Sequence, residues 1–179
     1  MKNLLYAVIA AAVCWILSEV LEIALGGRTA STLWLTAAFH FLIAFGIWGA
    51  YVGQADRKST LSLIAAGMMS LGYLLLVYPP LAVSQAPSIT ITEFMDVNLI
   101  FKLAGLLAVL GTILFGVSIL RQKSYVAWTG VALVLCPVIF SAIMMSEGPE
   151  LVAIVANLVE SVALIVISVQ ALRSKQVLA

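Results

Sequence analysis

The sequence predicts an all-α integral membrane protein: a compact bundle of six transmembrane helices with both termini on the cytoplasmic side. Three observations carry that reading. Of 179 residues, 64% are hydrophobic and 9% charged, with mean hydropathy +1.18. A water-soluble domain carries about 25% charge, so little polar surface is left here to face water. The apolar residues fall into six runs, each near or above the roughly 20 residues a helix needs to cross a bilayer. Basic residues gather at alternate connections between those runs.

The runs lie at about 3–25, 31–53, 60–79, 93–120, 125–145 and 150–172, and residues 1–179 read as one six-helix domain. In the first, Lys2 and the stretch from Leu4 to Ala12 have the look of a signal peptide, but the run continues to Leu25. That is too long for a signal h-region, so an uncleaved first span is expected. The second carries Gly49-Ala50-Tyr51-Val52-Gly53, a GxxxG. Small residues let helices approach where lipid gives no hydrophobic drive, and packing within the chain is favoured over homodimerisation. Pro79-Pro80 is expected to stop the third helix.

Leu81 to Thr92 reads as the longest outer loop, with Ile89-Thr90-Ile91-Thr92 an ordered or extended piece. Thr90 and Glu93 have capping-box spacing for the fourth helix. Pro137 should kink the fifth and free the carbonyl of Leu133. Pro149, after Gly148, fits the first turn of the sixth. Trp34, Tyr78, Tyr125 and Trp128 fall near span ends, where an aromatic belt would place them. Phe45-Gly46 and Phe115-Gly116, each ahead of a basic loop, form a weak internal echo.

Lys2, Arg57, Lys58, Arg121, Lys123, Arg173 and Lys175 fall at one end of a six-span bundle. Glu93, Asp96, Glu147 and Glu150 fall at the other, where Arg28 is the basic exception. The chain is expected in the cell (inner) membrane, and the positive-inside rule puts both termini in the cytoplasm.

Polar groups inside the runs are the candidate site. Asn157 and Ser161 share one helix face, with Glu160 beside them. Glu19, His40 and Lys102 lie in three other runs. At 1.5 Å per residue, Glu19, His40, Lys102 and Glu160 sit about 9, 10, 8 and 14 Å below the outer ends of their runs. A buried ionisable group is costly unless neutral, paired or wetted. Depth clustering on one side suits an outward-facing pocket in which Glu160, Glu19, His40, Lys102 and Asn157 bind a ligand or a proton. A structural Glu160–Lys102 ion pair is the plainer alternative, and snorkelling would serve Lys102 alone. Glu22 and Asp96 are expected at the interface.

Several functions are excluded. A net charge of +1 argues against nucleic acid. A single histidine removes bis-His haem and the paired Glu-x-x-His di-iron pattern. No P-loop or Gly-rich nucleotide motif is present. Cys14 and Cys136 have no metal or redox spacing. No cofactor or metal is expected. What stays open is a transporter, channel or small-molecule or lipid-binding protein. The alternatives are a non-catalytic subunit or assembly partner, a membrane enzyme using Glu19 and Glu160 as acid and base on a lipid or isoprenoid, and a scaffold with no site. The expected surroundings are the lipid bilayer, a small-molecule or lipid ligand, and further copies or a membrane partner protein.

Overall fold

The computed structural model describes residues 1–54, 59–86, 91–146 and 148–174. Among the described residues the chain is helical with no strand. The elements are α1 (Lys2–Leu25), α2 (Ala30–Gly53), α3 (Thr60–Leu75), α4 (Tyr78–Gln85), α5 (Ile91–Asp96), α6 (Leu99–Gln122), α7 (Ala127–Ser146) and α8 (Glu150–Arg173). Five stretches are long and apolar enough to cross a membrane: Lys2–Leu25, Ala30–Gly53, Thr60–Gln85, Leu99–Gln122 and Glu150–Arg173. A sixth, Ala127–Ile143, is apolar but shorter.

The long helices form a ring in chain order. α1 packs on α2, α2 on α3, α3 on α6, α6 on α7 and α7 on α8, and α8 closes the ring on α1. Short connections make such neighbours antiparallel. Their ends are set locally. Gly26 takes the left-handed conformation (φ 70°), and the Gly27 N–H donates to the Glu22 carbonyl at 2.9 Å, ending α1. Thr29 with Thr32, and Ser59 with Ser62, form reciprocal caps that start α2 and α3.

The sequence places several boundaries differently. α3 ends at Leu75, four residues before Pro79, so the prolines stop the helix one turn ahead of where they stand. They occupy the first turn of α4, where a missing N–H costs nothing. The third run therefore breaks at Leu76-Val77 and resumes, and the connection that follows is helical to Gln85. The fourth predicted helix is divided into α5 and α6 around Val97-Asn98. Pro149 stands at the N-cap of α8, one position before the first turn. Tyr125 is 9% exposed and turned inward, its hydroxyl donating to the Ala50 carbonyl at 2.6 Å, so it belongs to the core and not to a belt. Arg57, Lys58, Ile89, Thr90, Glu147 and Lys175 lie outside the described residues, as do the side chains of Thr92 and Asp96.

The outward faces are apolar. Val13, Phe41, Leu71, Leu106, Leu135 and Val155 are all at least 43% exposed, one from each long helix. A water-facing bundle would carry charge at such positions. Inside, the core fills one end of the ring. Leu5, Val8, Ile43, Ile47, Met69, Phe115, Ile119, Leu133, Leu164 and Ile167 are essentially inaccessible. Met69 apart, each comes from the half of its helix nearer the termini.

Glycines bring the backbones together there. A Cβ at Gly49 would lie 2.8 Å from Leu4 Cβ, and one at Gly53 2.7 Å from Ala171 Cβ. The GxxxG is thus occupied by α1 and α8 of the same chain. Between α3 and α6, a Cβ at Gly72 would meet the Ala108 nitrogen at 2.5 Å and one at Gly111 the Met69 nitrogen at 2.6 Å. The echoed glycines play unlike parts: Gly46 faces Val8 on the preceding helix, and Gly116 faces Gly130 on the following one.

Candidate functional site

Packing changes character past the middle of the ring. At the end opposite the termini the helices enclose a cavity of about 360 Å³. Glu19, His40, Lys102, Asn157 and Glu160 all contribute to its wall, from α1, α2, α6 and α8. Trp15, Ser18, Thr36, Tyr73, Phe140 and Ser161 join them, and Pro79, Pro80 and Ile91 bring α4 and α5 against it.

The α1–α8 seam holds a short polar contact in the wall. The Asn157 amide N–H donates to Glu19 Oε1 at 2.6 Å. Both residues are buried, at 8% and 7% exposure. A buried carboxylate must find donors, and an amide from the facing helix supplies one. One residue back on α1, the Ser18 hydroxyl donates to the Thr32 carbonyl at 3.0 Å and lies 3.2 Å from the Thr36 hydroxyl, tying α1 to α2. Glu22, near the end of α1, pairs with Arg28 at 3.4 Å.

The α2–α3 seam is built by proline chemistry. In a continuous helix the Leu76 carbonyl would accept from residue 80, and the Leu75 carbonyl from residue 79. Both of those residues are prolines without an N–H. His40 Nδ1 lies 2.8 Å from the Leu76 oxygen, which fixes Nδ1 as the protonated, donating nitrogen. The histidine thus satisfies a carbonyl that Pro80 leaves bare.

An aromatic floor separates cavity from core. Trp15 and Phe39 meet edge to face at 4.0 Å between ring centres, His40 stacks on Tyr73 at 5.7 Å, and Phe39 meets Tyr73 at 5.4 Å. Phe39 belongs to the buried core, and Trp15 and Tyr73 pack against it. The Tyr73 hydroxyl lies 3.4 Å from the Thr112 hydroxyl, which itself donates to the Ala108 carbonyl at 2.9 Å. Tyr73 is therefore the donor of that pair. Among the described residues no acceptor lies within bonding geometry of the Trp15 indole N–H, although Glu19 follows one turn on along the same face.

Glu160 is half-buried, whereas Lys102 is exposed on the first turn of α6. Asn98, expected to share a face with Lys102, turns back to donate to the Phe94 carbonyl at 2.8 Å and joins α5 to α6. Pro137 lies inside α7, which continues through it, and reaches the cavity wall. Among the described residues no three or more His, Cys, Asp or Glu side chains are grouped to hold a metal ion.

Depth along each run points to the four ionisable groups. It does not point to Trp15, Thr36 or Tyr73. A usable signal existed for Trp15, an N–H-bearing aromatic in mid-run, one turn from a carboxylate. Scans against family models, curated proteins and solved structures find no match for this chain.

Proposed function

We propose that this chain is a six-span membrane protein that binds a small molecule in a cup opening on the outer side, with both termini cytoplasmic. The observation that carries the reading is the division of the ring. One end is closed by a mainly apolar core, and the other encloses about 360 Å³ whose largely apolar wall also presents polar groups from several helices. That volume lies within the range of small-molecule sites. Buried Glu19, Asn157 and His40 are costly in an apolar bundle, and a cavity that presents them to a ligand gives them a use. Topology follows from the basic residues at the closed end. The shorter α7 crosses with them, because the ring places it between α6 and α8.

A cup with a closed base suits binding, or one state of an alternating-access carrier, better than an open channel. Passage would require the contact between Phe39, Trp15 and Tyr73 to part. No acid–base step is assigned to Glu19, whose carboxylate is engaged by Asn157.

The test is ligand-dependent unfolding in lipid nanodiscs across a panel of amphipathic small molecules. A ligand at a hundred times its Kd should stabilise the protein by about 2.7 kcal/mol. Val109, half-buried on the cavity wall, offers the control. Val109→Trp should fill the space, keep or raise basal stability, and remove the ligand effect. A panel that stabilises wild type and Val109→Trp equally would end the proposal.

A further inference from the structure

Resting on the binding reading above, we infer that the cavity takes a small organic cation with an apolar body, its charge held against the Glu19 and Glu160 carboxylates. The charges around the cavity are sorted by burial. Glu19 is 7% exposed and Glu160 is half-buried. The two basic residues that reach the wall, Arg28 and Lys102, are exposed, and Arg28 is already engaged by Glu22 at 3.4 Å. An anion drawn to the rim would meet two carboxylates farther in. A cation meets the reverse, and it supplies the counter-charge that a carboxylate in a low-dielectric interior needs in order to ionise.

The floor agrees with that sign. Trp15 and Tyr73 line the cavity, and the face of an aromatic ring attracts cations. His40 adds no fixed donor there through Nδ1, which is committed to the Leu76 carbonyl. Val109, Phe140, Pro80 and Leu164 give the remaining wall its apolar character, which suits a hydrocarbon body. Asn157 holds Glu19 in place on the α1–α8 seam through one carboxylate oxygen.

The experiment compares three probes of similar size on the full chain in zwitterionic nanodiscs: benzyltrimethylammonium, phenylacetamide and phenylacetate, each followed by equilibrium dialysis. Benzyltrimethylammonium should bind at least tenfold tighter than the other two. Glu160→Gln and Glu19→Gln should each weaken it about tenfold and leave phenylacetamide within about twofold. Equal or tighter binding of phenylacetate or phenylacetamide to wild type overturns the cation assignment and leaves the cup itself standing. Undiminished cation binding in both Gln variants overturns it too. Should a variant fold poorly, the order of the three affinities on wild type decides. If none of the three binds, the cation assignment falls, and the Val109→Trp comparison then decides the binding reading by itself.

Discussion

Asn157 on α8 donates to Glu19 on α1 at 2.6 Å, across the seam where the last helix closes on the first. The two residues are 138 positions apart in sequence, so the contact forms only when the ring is complete. It joins a buried amide to a buried carboxylate at the edge of the cavity, and serves closure of the fold as well as the shape of the site.

Removing that contact should show as coupling. Asn157→Ala should destabilise the protein by about 1 kcal/mol, within the range measured for hydrogen bonds between membrane helices. Glu19→Gln should cost less, because an amide can still accept. In a double-mutant cycle read by denaturant unfolding, the pair should couple by at least about 0.5 kcal/mol. Strict additivity would mean that the bond contributes nothing to closure.

The His40–Leu76 contact yields a second cycle. His40→Leu strips the Leu76 carbonyl of its donor, at a cost of about 1–3 kcal/mol. Pro80→Ala restores a backbone N–H to that carbonyl. In the Pro80→Ala background, His40→Leu should therefore cost markedly less. An unchanged cost, measured by thermal or denaturant unfolding, would show that His40 stabilises through its ring packing alone.

Close approach of α3 and α6 separates the glycines. Gly72→Ala and Gly111→Ala each set a methyl about 2.5 Å from facing backbone, at 2.5 and 2.6 Å respectively. Each should destabilise by about 1–3 kcal/mol. Gly67 has nothing within 4 Å of an added Cβ. Gly67→Ala should be neutral or stabilising by up to about 1 kcal/mol through helix propensity. Melting temperatures of the three variants check the order.

Side-specific labelling tests the topology. In a Cys14→Ala, Cys136→Ala background, single cysteines at Lys2 and Ser174 should be labelled from the same side, and one at Thr29 from the other. Labelling of Lys2→Cys and Ser174→Cys from opposite sides would show that α7 does not cross.

Much of this protein is legible in its residues alone. Composition and run length give the apolar helices, five of which are long enough to cross a membrane. The rise per residue places Glu19, His40, Lys102 and Glu160 at similar depth. Even the demand on His40 is written locally, since Pro80 must leave the Leu76 carbonyl bare whatever surrounds it. Local rules fail where two of them compete. Pro79-Pro80 reads as a stop, yet proline is also at home in a helix's first turn, and the chain restarts there as α4.

Only the tertiary structure decided which groups meet. A helix that is apolar all round can be rotated about its axis without changing its hydrophobic pattern, so the sequence fixes how deep a side chain sits but not the direction it faces. Direction is set by small residues such as Gly49, Gly72 and Gly111, which let particular faces come together, and by hydrogen bonds such as Asn157 to Glu19, which an apolar interior makes costly to leave unmade. The closed base, the aromatic floor and the cavity above it all follow from those rotations.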